Sequence, residues 1–426
     1  MKRLRLCSSV LLTVLLLLAA LPSTAGEAPI EFDYLYQNGG AHNEQLLQFC
    51  EEFYELTNHM VKVNGIFVEG SYEGVLERNQ LRLLSGDPAG ITQAGLHYNY
   101  FMQDNLPVIP AQHFIDAEGF DLSDFFPKML ALGQNPDNTV QVGMPFGISA
   151  PVLYYNKDMF DANGIENPPT TFDEMQELAK QLTKDGNYGF YIQYPMTGNW
   201  MIQTLVENFG GRMISEDRKS MALGEAGVNT FTMLHQMRNV DKTMPVVAGD
   251  ELGAQAQEMF KAGKVGMLIA TCSYMSAYRK DCAFNLGVAR VPNDGEHFSA
   301  PAGGACVYIL DNGEEQNQAA WDFVKYITSP EQNSRWAQVT GYMVVRQSAV
   351  DAPELMGDYL RDLPIAQIPY SMSDFMTPWA NFPGGSGTRY HRITQDNIDA
   401  MLLEELTPVE ALEKTVQELN DLINGG

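Results

Sequence analysis

The segment Met144–Phe160 reads M-P-F-G-I-S-A-P-V-L-Y-Y-N-K-D-M-F, and the rest of the chain is organised around it. Its glycine-containing first part leads into the short apolar run Pro151–Tyr155, which predicts a buried strand. Asn156-Lys157-Asp158 then ends the strand and begins a helix. We interpret the segment as a strand that leaves one lobe of the protein and enters a second. Taken alone, the same pattern also fits an ordinary buried strand followed by a capped helix.

The first 25 residues have the composition of a secretion signal. The apolar run Val10–Leu21 is short for a membrane span, which needs about 20 residues. Three basic residues precede this run: Lys2, Arg3 and Arg5. Ser23-Thr24-Ala25 fits the small-residue cleavage pattern, so residues 1–25 are predicted to be a signal peptide that is removed. A retained membrane anchor is the alternative, and a periplasmic location is the expectation.

The chain carries a large acidic excess, with 27 basic and 53 acidic residues and a formal net charge of -26. Removing the three basic residues of the signal makes this charge three units more negative. Such a surface argues against binding to nucleic acid or to anionic membranes. Any anionic ligand would have to be held by local donors against the overall field.

Five cysteines occur in the chain, and Cys7 precedes the apolar run, whereas a lipoprotein carries its acylated cysteine just after it. The other four show no C-x-x-C motif and no Cys/His spacing typical of a metal site. We therefore predict no metal and no cofactor. In an oxidising compartment Cys272–Cys282 is the first pair to test for a disulfide, and four buried thiols are the alternative.

Strands and helices alternate in the first part of the chain. Ile30–Tyr36 and Val61–Val68 read as strands, and helical periodicity follows each of them. This order predicts a parallel sheet covered by helices, whose ligands lie beyond the carboxyl ends of the strands. Tyr72 stands at such a loop, either as a ligand contact or as an ordinary aromatic residue at the start of a helix.

Six further motifs follow in a fixed order after the opening segment. They are P-P-T-T-F-D-E at 168–174, F-K-A-G-K-V-G-M at 260–267, V-A-R-V-P at 288–292, A-A-W-D-F-V-K-Y-I-T-S-P-E at 319–331, G-Y-M-V-V at 341–345 and T-P-V-E-A-L at 407–412. Together with Met144–Phe160 they resemble the extracellular solute-binding proteins of family 1, which serve sugar-type ABC importers. The glycerol-3-phosphate-binding branch of that family is the most similar.

The resemblance implies an α/β fold of the two-lobe type II periplasmic binding protein class. Each lobe would be a mostly parallel sheet flanked by helices, and the chain would cross between lobes three times. The crossings are expected near Phe146–Val152, Gly303–Val307 and Val345–Val350. Residues 26–147 plus 307–347 would form the N-terminal lobe, and residues 150–303 plus 350–426 the C-terminal lobe. Members of the family are usually monomeric and deliver their solute to permease subunits in the inner membrane.

The resemblance also implies a set of ligand contacts in the cleft, with Thr271 preferred over Ser273. They are Tyr72, Ser149, Thr271, Ser273, Tyr342 and Arg389. Arg389 follows a Gly384-Gly385-Ser386-Gly387 run that suits an oxyanion cradle, although such a run is often only a flexible loop.

Glycines and tryptophans complete the candidate site. Gly303 and Gly304 would let backbone N–H groups approach the ligand, or would form a tight turn. Trp200 and Trp379 are candidates for stacking on the ligand, and Trp200 is equally well explained as a core residue.

One departure from the branch leaves the ligand open. The glutamate expected near Gly95 or Leu96 is missing, and His97 and Tyr98 follow instead. Glycerol-3-phosphate or a glycerophosphodiester is the favoured ligand class, and a neutral mono- or oligosaccharide is the rival. No catalytic motif is present, so we predict a binding protein rather than an enzyme. An exported hydrolase is the alternative from another class.

Overall fold

The computed structural model describes residues 28–195, 199–245, 252–383 and 387–425. The predicted signal peptide and Gly384-Gly385-Ser386 lie outside the described residues. The strands, in chain order, are β1 Ile30–Tyr36, β2 Val61–Phe67, β3 Ile91–Gly95, β4 Val108–Ile109, β5 Met144–Ser149, β6 Pro151–Asn156, β7 Tyr188–Ile192, β8 Val265–Thr271, β9 Leu286–Ala289, β10 Ala300–Pro301, β11 Gly303–Leu310 and β12 Met376–Thr377.

Helices fill most of the connections between these strands. The α-helices are α1 Ala41–Leu56, α2 Ser71–Ser85, α3 Asn99–Asn105, α4 Ala111–Glu118, α5 Pro127–Ala131, α6 Lys157–Ala162, α7 Phe172–Leu182, α8 Trp200–Asn208, α9 Gly224–His235, α10 Leu252–Lys261, α11 Met275–Asp281, α12 Glu314–Ile327, α13 Pro330–Thr340, α14 Gln347–Asp351, α15 Asp358–Asp362, α16 Gln367–Tyr370, α17 Gly387–Leu402 and α18 Pro408–Ile423. Short 3-10 helices cover Leu96–Tyr98, Cys272–Tyr274, Pro364–Ala366 and Ser373–Phe375, and π-helices cover Gln236–Val240 and Pro353–Gly357.

The strands form two main sheets. The first has the order β2-β1-β3-β11-β4, with β5 also paired to β11. The second has the order β7-β8-β6-β9, and β10 and β12 form a separate parallel pair. Helices flank both sheets, as the alternation of strands and helices predicts.

Each main sheet contains one strand that runs opposite to all the others. In the first sheet β1 runs parallel to β2 and β3, but β11 is antiparallel to β3, β4 and β5. In the second sheet β7 and β8 are parallel, and β6 is antiparallel to both of its neighbours. Five of the six strands in the first sheet and three of the four in the second therefore share one direction, which confirms the expectation of mostly parallel sheets. Strand–helix alternation reveals the local parallel pairs, but β6 and β11 enter their sheets from distant parts of the chain.

The opening segment of the sequence joins the two sheets. Strand β5 ends at Ser149 in the first sheet and β6 begins at Pro151 in the second, so only Ala150 separates them. Ala150 is fully buried, and its carbonyl accepts a hydrogen bond of 2.9 Å from the Cys272 N–H group. The strand that passes from one sheet to the other is thus where the sequence predicts it. The residue limits of the lobes and the hinge movement stay predictions.

The cysteines of the described chain are free. Cys50, Cys272 and Cys306 are buried and Cys282 is partly buried. The Cys272 sulfur lies 3.4 Å from both the Ser149 hydroxyl and the Ala150 N–H group. The structure therefore has no Cys272–Cys282 disulfide and agrees with the alternative of free thiols, and the Cys272 side chain contacts the β5–β6 connection. Within the described ranges, no helix has the length and apolar character needed to cross a membrane.

Candidate functional site

A cavity of about 350 Å³ lies where the carboxyl ends of strands from both sheets meet. We call it the inner cavity. It is lined by Gln37, Asn38, Gly39, His42, Ser71, Tyr72, Ser149, Gln193, Trp200, Thr271, Ser273, Tyr274, Gly304, Tyr342 and Trp379. Strand ends of α/β sheets are the usual position of ligand sites, because the loops there are free to differ while the sheet stays fixed.

Most of the candidate residues from the sequence converge on this cavity. Those that line it are Tyr72, Ser149, Trp200, Thr271, Ser273, Gly304, Tyr342 and Trp379. Gly303 instead lies against the Trp200 ring, where an added Cβ atom would be 2.4 Å from ring carbons. Arg389 is exposed and lines a neighbouring cavity.

Three hydroxyl groups form a buried chain in the inner cavity. The Ser149 Oγ atom lies 2.5 Å from Thr271 Oγ1, which in turn lies 2.9 Å from Ser273 Oγ. The Ser273 N–H group also donates to Thr271 Oγ1 at 3.2 Å. Ser149 ends β5 and Thr271 ends β8, so the chain joins the two sheets. Hydroxyls both donate and accept, which matches the hydroxyl groups of a polyol or sugar.

Two tyrosines supply further neutral donors. Tyr342 is buried and stacks on Trp336, with ring centroids 5.8 Å apart. Burial raises the pKa of Tyr342, while its hydrogen bonds with Asn38, Ser273 and Tyr72 oppose that rise. Burial likewise holds the pKa of Tyr72 well above 10.0. Both side chains are therefore neutral phenols at physiological pH.

The inner cavity carries no charged side chain among its lining residues at neutral pH. His42 is the one titratable imidazole of the lining, and burial lowers its pKa to about 4. The remaining lining residues are amides, hydroxyls, glycines and aromatic rings. The cavity thus offers hydrogen bonds and aromatic surface, without a cation to neutralise a phosphate directly.

A cluster of aromatic rings lies along one side of the inner cavity. Trp379 packs against Trp200 at 5.4 Å and against His97 at 4.1 Å between ring centroids. The Trp200 indole N–H donates to the Pro301 carbonyl at 2.7 Å, which fixes that ring. His97 is buried, and burial lowers its pKa to about 3. The His97 side chain is therefore a neutral imidazole at physiological pH.

A second cavity of about 510 Å³ adjoins the inner cavity at Ser71, which lines both. We call it the Arg389 cavity. Its other lining residues are Gly70, Glu73, Glu77, Pro195, Arg389, His391 and Arg392. Ser71 begins α2, so free N–H groups of the first helical turn lie at this junction. The basic residues belong to α17 and face the acidic residues of α2, with His391 Nδ1 3.6 Å from Glu73 Oε1.

Residues 51–359 match the family model of the bacterial extracellular solute-binding proteins. The chain belongs to this family. The sn-glycerol-3-phosphate-binding periplasmic protein UgpB of Rhizobium meliloti is 24% identical over 417 residues, which cover 93% of this chain and 94% of that protein. The UgpB protein of an Escherichia coli strain is 25% identical over 378 residues, covering 83% and 84% of the two chains.

Solved structures agree with this solute-binding protein in fold. UgpB from Mycobacterium tuberculosis in complex with glycerophosphocholine has a TM-score of 0.77 at 19% identity, covering 94% of this chain and 99% of that one. The GacH receptor of Streptomyces glaucescens, solved unliganded and with acarbose, has a TM-score of 0.79 at 19% identity, covering 94% and 100%. The predicted α/β two-lobe fold is thereby confirmed. The family consists of solute-binding proteins, which supports the prediction of a binder rather than an enzyme.

Several lining residues of this solute-binding protein were missed by the sequence analysis. They are Gln37, Asn38, Gly39, His42, Ser71, Gln193 and Tyr274. Gln37 directly follows β1 and Gln193 directly follows β7. The rule that ligands lie beyond the carboxyl ends of strands would have found Gln37, since the strand Ile30–Tyr36 was recognised.

Proposed function

We propose that this solute-binding protein is the periplasmic receptor of an ABC importer. It captures a small hydroxyl-rich solute between its lobes and delivers it, as a monomer, to permease subunits in the inner membrane. The observation that carries the proposal is the hydroxyl chain of Ser149, Thr271 and Ser273, which unites the ends of both sheets in one cavity. A ligand that bonds to both lobes favours the closed form over the open one.

Glycerol-3-phosphate or a glycerophosphodiester is the ligand class we propose first. The neutral inner cavity suits the glycerol hydroxyls, and the Arg389 cavity supplies a site for the phosphate at Ser71. There the N-terminus of α2 and the Arg389 guanidinium both favour an anion. The names of the relatives point to the same class, since UgpB proteins are described as binding sn-glycerol-3-phosphate.

A neutral mono- or oligosaccharide is the second candidate. It is favoured by the absence of charge in the inner cavity lining and by the aromatic rings of Trp200 and Trp379. The acidic excess of the chain also favours a ligand without negative charge. Among the structural relatives, GacH was solved with acarbose.

Calorimetric titration of the ligand-stripped mature protein tests both candidates. The titrants are glycerol-3-phosphate and glycerophosphocholine, with maltose and trehalose as comparators. Arg389→Ala is expected to weaken binding of the phosphate compounds about tenfold or more, because a charge-assisted hydrogen bond is lost. Arg361→Ala is the matched control, since Arg361 is an exposed arginine that pairs only with Asp358 and Asp362 among the described residues.

The outcomes separate the ligand classes. Phosphate binding that falls in Arg389→Ala but not in Arg361→Ala supports the first candidate. Tight binding of a sugar that neither variant changes supports the second candidate and removes Arg389 from the site. Turnover of a chromogenic sugar or phosphodiester would contradict the proposal that the protein only binds its solute.

A further inference from the structure

A third cavity, of about 650 Å³, adjoins the inner cavity at Trp379. We call it the outer cavity. Trp379 lines both it and the inner cavity. Its other lining residues are Tyr100, Gln203, Glu207, Gly210, Gly211, Arg212, Met213, Ile214, Arg218, Glu296, His297, Phe298, Ser299, Thr377, Pro378, Ala380 and Asn381. Neither the sequence motifs nor the proposed glycerol phosphate site accounts for this space.

A hydrogen-bonded carboxylate is the chemical centre of the outer cavity. Glu207 Oε2 accepts hydrogen bonds from the Ser299 hydroxyl at 2.5 Å and from the Thr377 hydroxyl at 2.6 Å. Glu207 Oε1 accepts one from Gln203 Nε2 at 2.7 Å. The partners come from three separate segments, so the position of the carboxylate is firmly set. A carboxylate accepts about four hydrogen bonds, which leaves capacity for one more donor.

The basic residues of the outer cavity are engaged elsewhere. Arg212 pairs with Glu216 at 2.8 Å, and His297 pairs with Asp294 at 2.7 Å. Arg218 lies over the Tyr100 ring, 4.1 Å from its centroid. Among the described residues, no salt bridge therefore neutralises Glu207. Its remaining acceptor capacity is therefore available to a hydrogen-bond donor of a ligand.

The outer cavity is closed by parts of both lobes. Tyr100 belongs to α3 beside the first sheet, whereas Arg218 lies in the turn after α8 beside the second. The Tyr100 N–H group also donates to Asn381 Oδ1 at 3.3 Å. A ligand group bound beside Tyr100 and Arg218 would contact both lobes. Filling the outer cavity would therefore add to the stabilisation of the closed form.

We infer that the outer cavity binds a second, hydroxyl-bearing part of the ligand, with one of its hydroxyls donating to Glu207. The inference rests on the proposed function, which places the first polyol unit in the inner cavity. The ligand class is thus a two-part molecule that joins two hydroxylated units past the edge of Trp379. A glycosidic bond and a phosphodiester bond are two ways of making such a molecule, and both present the same chemistry to Glu207.

Paired short and long ligands test the inference by calorimetry. One pair is glycerol-3-phosphate and glycerophosphoinositol, and the other is glucose and maltose. Glycerophosphocholine serves as a long ligand whose second part has no hydroxyl. The long hydroxylated member of the pair that binds is expected to bind about tenfold or more tightly than its short member, and Glu207→Gln is expected to remove that advantage. The matched control is Glu413→Gln, an exposed carboxylate on α18.

Each result has a definite meaning. Loss of affinity in Glu207→Gln for the long hydroxylated ligand alone supports the inference, and urea unfolding of the variant establishes that it folds normally. Equal binding of short and long ligands, or equal loss for both in Glu207→Gln, overturns the inference and leaves the proposed function standing. Glycerophosphocholine binding as tightly as glycerophosphoinositol also overturns it. If no ligand of either pair binds, the proposed ligand classes fail and the inference fails with them.

Discussion

At the residue scale, the hydroxyl of Thr271 is the middle member of the hydroxyl chain, because it contacts both Ser149 and Ser273. Thr271→Val removes this hydroxyl at nearly constant volume and leaves two buried hydroxyls without their partner. We expect a loss of about 1–3 kcal/mol in the free energy of unfolding, measured in urea. We also expect ligand affinity to fall about tenfold or more, measured by calorimetry.

Thr271→Ser is the control for that experiment, because it keeps the hydroxyl and loses only a methyl group. Near-normal affinity in Thr271→Ser together with weak binding in Thr271→Val would assign the effect to the hydroxyl. Normal affinity in Thr271→Val would show that the hydroxyl chain only supports the fold.

Eight of the fifteen residues that line the inner cavity could be predicted from the sequence, and two further candidates show what it could not predict. Gly303 was expected to expose its backbone to the ligand, but the Trp200 ring occupies that position. A pair of glycines allows another group to approach the backbone closely, but the sequence does not show whether that group is a ligand or a side chain of the protein. Arg389 lines the Arg389 cavity and not the inner cavity. Its position depends on how α17 packs relative to α2. The local sequence around Arg389 does not predict the distance between α17 and α2.

At the element scale, the C-terminal helix α18 offers a clear stability test. Thr407 Oγ1 accepts from the Glu410 N–H group at 3.3 Å, and a Glu410 carboxylate oxygen accepts from the Thr407 N–H group at 2.9 Å. This capping box satisfies two N–H groups that the helix cannot pair itself. Thr407→Ala is expected to lower the free energy of unfolding by about 1 kcal/mol in a urea titration.

Ligand affinity provides the counter-check for the Thr407→Ala variant. No residue of α18 lines the inner cavity as described, so affinity should not change. Thr407→Ser retains an oxygen acceptor and should stay close to the unmodified protein in stability. A loss in Thr407→Ser as large as that in Thr407→Ala would point to the missing methyl group rather than the cap.

Elements with strong local signals were predictable, whereas their pairing was not. The short apolar run Pro151–Tyr155 predicts strand β6, and Asn156 caps the following helix by accepting a hydrogen bond from the Met159 N–H group. The pairing of strands is harder to predict, because the neighbours of a strand can come from distant parts of the chain. Strand β11 joins the first sheet after all four strands of the second sheet, and it lies antiparallel to β3 and β5.

At the scale of the whole molecule, buried histidines couple stability to pH. Burial lowers the pKa of His97 to about 3 and that of His42 to about 4, below the ordinary value of 6.5. Burial also lowers the pKa of His391, although Glu73 and Asp396 oppose the shift. The exposed His297 behaves in the opposite way, because its pKa is raised by hydrogen bonding to Asp294.

Acidification from about pH 6.5 towards pH 4 is therefore expected to lower the free energy of unfolding, because unfolded His97 takes up a proton that the folded protein excludes. One such group contributes a slope of at most about 1.4 kcal/mol per pH unit. His97→Phe keeps an aromatic ring between Tyr98 and Trp379. The His97→Phe variant should therefore lose less free energy of unfolding between about pH 6.5 and pH 4, as measured by urea titrations across this range. His297→Gln should leave the slope in this range nearly unchanged, because the stabilisation from protonated His297 is already present below about pH 6.5 and is lost only as the pH rises above that value. Equal slopes in the parent protein and His97→Phe would mean that His97 is protonated inside the folded protein.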